Sequence, residues 1–251
     1  MTRTTRAVCL NSRFYIAAHD IQPGFCMQFV FEGSGILDLE HWKEAVTVAS
    51  AADPSSRMVL RRHVHFSRLV DSGITPPVRV IDAELWGRYE YEGSHLLNNF
   101  QPRTGPMTEV FLIKGGENPR VAIRAHHTVM DGRGLMTWAE DIFRALRGEE
   151  VRKSDDTIIT PYLLNPSYKP AGRVTGRCLA PTGLPQGCEQ GITYVRRNIS
   201  GSFSKIPAKV ALVSAREAWR HRNGNVRFGI PLDLRSRRPG LKSTGNLTSA
   251  I

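Results

Sequence analysis

Residues 126–132 read His-His-Thr-Val-Met-Asp-Gly. Imidazole, with an unperturbed pKa of about 6.5, can take up and return a proton at neutral pH. The pair His126-His127 closes a β-rich run, and Asp131-Gly132 precedes a segment with helical periodicity. That order sets an imidazole beside a helix N-terminus, where unsatisfied backbone N–H groups and the positive end of the helix dipole favour anions. A general base next to an oxyanion-stabilising group is suited to attack on a carbonyl. Successive side chains of an extended strand point to opposite faces, so one of the two histidines faces a cleft and the other is buried or paired.

Other reactive side chains are less organised. His63 and His65 share one face of an extended segment, but no third His, Cys or acid lies nearby at ligand spacing, so no metal is expected there. Cys9, Cys26, Cys178 and Cys188 form no Cys-x-x-Cys pair and are too sparse for a disulfide framework, which fits a reducing cytoplasm. None adjoins a histidine at nucleophile spacing, so the chemistry expected is direct, without a covalent enzyme intermediate.

The chain of 251 residues, 41% apolar and 23% charged, has the composition of a globular protein of one or two domains rather than a disordered or collagenous one. No apolar run reaches the length of about 18 residues that a membrane helix needs, and the N-terminus lacks a secretory apolar core. The first nineteen residues hold Arg3, Arg6 and Arg13 and no acid, a weakly transit-like composition. The net charge of +11 comes mainly from arginines spread along the chain. Nucleic-acid binding needs a patch rather than a total, and even the densest run, 216–238, is part of that spread, so nucleic acid is not the expected partner.

The elements that must position the histidines are legible as an α+β pattern. Residues 25–32 predict a strand. Asp38 is a helix N-cap followed by an apolar stripe of Leu39, Trp42, Val46 and Ala49, with Asp53-Pro54 as its stop. Residues 57–66 and 78–81 predict strands, and 83–100 a helix with a loop. Residues 108–114 and 120–126 form a hairpin about the turn 115–119. A helix with Leu135, Trp138, Ala139, Ile142 and Leu146 on one face then runs to Gly148. Residues 149–190, rich in Pro and Gly, predict a crossover, followed by a strand at 191–199, a helix at 207–222 with Pro in its first turn, and a strand at 226–232.

The heptapeptide matches the HHxxxDG signature and so resembles the coenzyme A-dependent acyltransferase superfamily. That superfamily includes chloramphenicol acetyltransferase, condensation domains of nonribosomal peptide synthetases, wax ester synthases and polyketide-associated acyltransferases. Ile230-Pro231-Leu232-Asp233-Leu234-Arg235 followed by Gly245-Asn246-Leu247 resembles the stretch of polyketide-associated and alcohol acyltransferases where an arginine precedes a Gly-Asn turn. The resemblance implies an α+β, chloramphenicol acetyltransferase-like two-layer sandwich. Residues 1–150 would be a complete N-terminal half, 151–190 a linker, and 191–251 an incomplete C-terminal half. It follows that the chain is a fragment, one part of a split enzyme completed by a second polypeptide, or a minimal variant that oligomerises.

The resemblance also assigns roles. His127 would be the general base and His126 structural. Asp131 would hold the loop through a salt bridge to Arg235, and Gly132 would let backbone approach the acyl carbonyl. The implied reaction moves an acyl group from a thioester, on coenzyme A or an acyl-carrier protein, to a hydroxyl or amine of a small acceptor. No cofactor would stay bound beyond that thioester co-substrate. The basic surface would suit a carrier protein or coenzyme A phosphates. Natural-product or lipid assembly is the expected setting. The alternatives are an amide-forming condensation domain and a non-catalytic carrier-protein docking module.

Overall fold

The computed structural model describes residues 4–21, 26–61, 67–86, 100–154, 157, 159, 161, 163, 200–229 and 231–250. The chain divides into two compact units, Met1–Pro166 with Asp233–Ser249, and Ser167–Leu232 with Ala250–Ile251.

The first unit is built on two sheets. Strands β1 (Thr5–Ala7), β3 (Met58–Arg61) and β4 (Arg68–Asp71) form an antiparallel sheet in the order β1-β4-β3. Strands β2 (Cys26–Glu32), β5 (Val78–Asp82), β6 (Thr108–Lys114) and β7 (Arg120–His126) form the second, in the order β2-β7-β6-β5. The β6–β7 hairpin pairs Val110 with Ile123 and Leu112 with Val121, as its alternation predicts. Pairing of β2 with β7 sets Cys26 opposite His126, so the central strand delivers the first histidine at its very end.

Helices α2 (Leu39–Ala52) and α3 (Gly132–Leu146) cover one face of this sheet. Asp38 caps α2 by accepting from the His41 N–H at 2.8 Å, and Asp131 caps α3 in the same way through Gly134. Trp42, Val46 and Ala49 of α2 and Leu135, Trp138, Ala139 and Ile142 of α3 pack with Val110, Leu112, Val121 and Ile123 into the main core. A smaller cluster of Trp86, Phe111, Ile113 and Ala122 fills part of the opposite face. Each helix stripe was legible because its apolar residues recur at helical spacing between a carboxylate cap and a stop.

Two of the transit-like arginines, Arg6 and Arg13, lie in elements of this unit. Arg6 on β1 is 4% exposed and donates to the Ser55 hydroxyl and the Val129 carbonyl. Helix α1 (Leu10–Ile21) follows directly. It has no clean apolar stripe, with Leu10 80% and Phe14 61% exposed, and periodicity alone does not reveal it.

In the second unit, α4 (Ile206–His221) carries its proline in the first turn. The strand expected at 226–232 is confined to β8 (Pro231–Asp233), since Gly229 and Pro231 interrupt the run. The short strand β9 (Thr248–Ala250) lies near the chain's end. Asp233–Ser249 groups with the N-terminal unit rather than with the rest of 191–251. The physical reason is a set of buried hydrogen bonds from that segment to Asp131 and Asp53. The expected strand at 191–199, His63, His65, Cys178 and Cys188 lie outside the described residues, as does most of the 149–190 crossover. Among the described residues no helix is long and apolar enough to cross a membrane, and no group of three His, Cys, Asp or Glu is placed to hold a metal.

Residues 243–246 run so close to α3 that a Cβ on Gly134 would lie 1.8 Å from the Thr244 carbonyl oxygen, whereas one on Gly132 would meet nothing within 4 Å. Gly134→Ala is therefore expected to lower the thermal midpoint by several degrees, as for a backbone clash costing about 1–3 kcal/mol. Gly132→Ala is expected to melt close to the parent, and equal melting of the two variants would contradict this packing.

Candidate active site

The site is assembled on Asp131. Its backbone is extended (φ −97°, ψ 179°), and its side chain turns back over the first turn of α3. Oδ1 accepts from the Gly134 N–H at 2.8 Å and from Arg235 Nη2 at 3.0 Å. Oδ2 accepts from Arg235 Nη1 at 3.0 Å, the Leu247 N–H at 2.8 Å and the Thr248 hydroxyl at 3.0 Å. The carboxylate is 1% exposed, so its charge is kept by these donors rather than by water.

Arg235 answers in kind. A guanidinium has five N–H donors. Nε donates to the Ser243 carbonyl, Nη1 to Asp131 and Asp233, and Nη2 to Asp131 and the Gly245 carbonyl, all at 2.7–3.0 Å. Burial disfavours its charge, but the pull of Asp131 and Asp233 prevails and raises its pKa above the ordinary value. Residues 104 apart in sequence are thus joined by a bidentate pair.

The segment that Arg235 braces is fastened at further points. Thr244 donates its hydroxyl to Asp53 at 2.6 Å, and Asn11 of α1 donates to the Thr248 carbonyl at 2.6 Å. Asn246 donates to the His127 carbonyl at 2.7 Å, and the same amide passes 3.3 Å from His127 Nδ1. A Cβ on Gly245 would lie 2.3 Å from Arg6 Nη1, so glycine is needed there for close approach.

The two histidines end up in different chemical states. His126, 1% exposed, lies edge-on to His19 and Phe100, with centroids 4.9 and 6.3 Å away. Its Nδ1 lone pair accepts from the Thr128 N–H at 3.2 Å. Burial, and then the neighbouring His19 and His127, push its pKa down to about 3. His127 stands in the turn after β7, half-buried, with its ring stacked on Tyr15 at 3.9 Å and 4°. Burial lowers its pKa, and a hydrogen bond to its own backbone carbonyl and the charge of Asp131 oppose that shift.

All five residues singled out from sequence belong to one unit, and Asp131 and Arg235 are in direct contact. Tyr15, Asn246, Gly134 and Arg6 were not anticipated in these positions. Gly134 alone carried a local signal, as a glycine at a helix start where the dipole and cap do not require one.

No family model matches the chain, and no curated protein matches it. Solved structures do. One is a variant of the starter condensation domain of the rhizomide synthetase RzmA, 15% identical, with a TM-score of 0.50 over 60% of this chain and 40% of that one. Another is a four-domain nonribosomal peptide synthetase bound to AMP and glycine, 12% identical, with a TM-score of 0.50 over 61% of this chain and 12% of that one. About 60% of the chain has a condensation-domain-like fold. This is the α+β, chloramphenicol acetyltransferase-like architecture that the HHxxxDG resemblance implied. The chain spans less than half the length of the condensation domain it matches.

Removing one partner of a buried ion pair strands the other. Asp131→Ala is expected to cost about 3–5 kcal/mol in denaturant unfolding. Asp131→Ala with Arg235→Ala should cost clearly less than the sum of the single variants. Additive losses would mean the pair is not coupled.

His126 also makes stability depend on pH. Its folded pKa of about 3 lies below the unfolded value of about 6.5. Between those values the unfolded chain binds the proton and the folded chain does not, so stability is full above pH 6.5 and falls as pH drops. Its slope is about 1.4 kcal/mol per pH unit. Denaturant unfolding at pH 7, 6 and 5 should show a shallower decline for His126→Gln than for the parent, and an identical decline would overturn the assignment.

Proposed function

We propose that this chain carries the motif-bearing part of a thioester-dependent acyltransferase, with His127 as its general base. The observation that carries the reading is the placement of His127. Its ring is held flat by Tyr15, its carbonyl is held by Asn246, and burial lowers its pKa, which favours the neutral imidazole that a base needs. His126 serves as a structural element, since its lone pair is occupied and its pKa is too low for base catalysis near neutrality. Asp131 and Arg235 hold the loop, and the open space at Gly132 leaves room for the acyl carbonyl near the first turn of α3.

In this mechanism Nε2 of His127 removes a proton from the acceptor hydroxyl or amine as the nucleophile attacks the thioester carbonyl. Backbone N–H groups at the start of α3, near Gly132, stabilise the oxyanion. The C–S bond then breaks and the imidazolium returns its proton to the departing thiolate. No covalent enzyme intermediate forms. The thioester is carried by coenzyme A or by an acyl-carrier protein, and the setting is natural-product or lipid assembly. An amine acceptor, as in amide-forming condensation, is the second reading, favoured by the likeness to a starter condensation domain and to a nonribosomal peptide synthetase.

His127→Ala should fold normally and lose at least about a hundredfold in transfer rate, measured by thiol release from acyl-coenzyme A or an acyl-carrier thioester with hydroxyl and amine acceptors. A parental rate would refute the base assignment. Because burial lowers the His127 pKa, the base stays unprotonated below the usual histidine range. The acid limb of kcat/KM against pH should therefore fall below pH 6.5, and a midpoint above 6.5 would count against it.

A further inference from the structure

Behind the Asp131–Arg235 pair lies a cleft of about 250 Å³, with Arg133, Lys153, Arg235, Lys242, Ser154 and Thr244 in its wall. A second hollow of about 400 Å³ shares Lys153, Ser154 and Lys242 with it and adds Arg238. Two carboxylates also line the cleft, and both are already spoken for. Asp141 pairs with Arg152 at 2.9 Å, and Asp233 with Arg235 at 2.9 Å. Arg133, Lys153 and Lys242 remain in the cleft and Arg238 in the adjoining hollow, four cations with no ion pair among the described residues. Like charges gathered in a concave wall repel one another and focus a positive potential into the space between them.

We propose that this cleft is a binding site for a small phosphorylated anion. Phosphate oxygens need several donors converging from different sides, and guanidinium and ammonium groups supply them. Three chain segments meet here to do so: the start of α3, residues 152–154 and residues 233–244. The Thr137 and Ser154 hydroxyls add neutral donors at the wall. The volume suits a diphosphate-sized group better than a single ion, given about 30 Å³ for one water. Neither His126 nor His127 lines the cleft, so the site is separate from the base. It adjoins the motif through Arg133, which follows Gly132, and through Arg235, whose guanidinium holds Asp131. Two sources share this chemistry, the nucleotide end of coenzyme A and a free phosphorylated metabolite.

The test is calorimetric titration of the 251-residue chain with sodium pyrophosphate, and separately with coenzyme A, at low and at raised ionic strength. Pyrophosphate should bind, more weakly in salt, and Lys153→Glu with Lys242→Glu should weaken it by about tenfold or more. Both lysines are exposed, so the fold should survive, and Lys153→Gln with Lys242→Gln provides a gentler pair showing a smaller loss. Lys43→Glu, an exposed reversal on α2, should leave binding unchanged. If coenzyme A weakens in parallel, its nucleotide end is the occupant. If only pyrophosphate weakens, the occupant is a free phosphorylated molecule. Equal pyrophosphate affinity in the parent and the double variants, or no binding by the parent, overturns the proposal.

Discussion

Everything at this site hangs from one buried carboxylate. Asp131 caps α3, receives both η nitrogens of Arg235, and takes the Leu247 N–H and the Thr248 hydroxyl. Taking such a charge out of water costs several kcal/mol, and only a saturated set of donors compensates. A lysine could not replace Arg235, because the rigid guanidinium fork reaches two carboxylates and two carbonyls at once. Glycine at 134 and 245 follows from the same constraint. A Cβ at 134 would run into the Thr244 backbone, and one at 245 into the Arg6 guanidinium.

The histidines show how neighbouring residues of one type acquire different chemistry. Burial lowers the pKa of both. What separates them is their surroundings. His126 is enclosed, and its Nδ1 accepts from the Thr128 N–H. His127 is half-buried, and the charge of Asp131 opposes the effect of burial on it. The difference arises because β7 ends at His126 and the chain turns at His127. Strand alternation alone predicts only that the two rings diverge. The turn, with Asn246 holding the His127 carbonyl and Tyr15 flat against the ring, fixes where the second imidazole stands.

The same contrast explains what could be read from sequence. The α2 and α3 helices and the β6–β7 hairpin were legible because each is specified by residues within a few positions of one another. Helix α1 was not, since its buried contacts belong to scattered residues while Leu10 and Phe14 face outward. Tyr15 therefore carried no signal, although it stacks on His127. The meeting of Asp131 with Arg235 spans 104 residues and came only from the family resemblance. No local pattern encodes such a contact. Residues 226–229 fail as a strand because propensity was outweighed by the glycine and proline that follow.

The two faces of the β2-β7-β6-β5 sheet divide the work. Val110, Leu112, Val121 and Ile123 point to the helices and supply apolar burial. The alternate positions of the same strands carry Glu109, Arg124 and His126. Glu109 and Arg124 form a buried ion pair, and the guanidinium also lies 5.4 Å from the Phe100 ring and 5.9 Å from that of Phe111. Polar groups can be buried on that face because their partners come from the adjacent strand, where the antiparallel register sets Glu109 opposite Arg124. Burial pushes the Glu109 carboxyl up, and the positive charges of Arg124 and Arg79 pull against it. The chain thus concentrates its apolar stabilisation beneath α2 and α3. That leaves the end of β7 free to carry histidines that a wholly apolar sheet would have no means to orient.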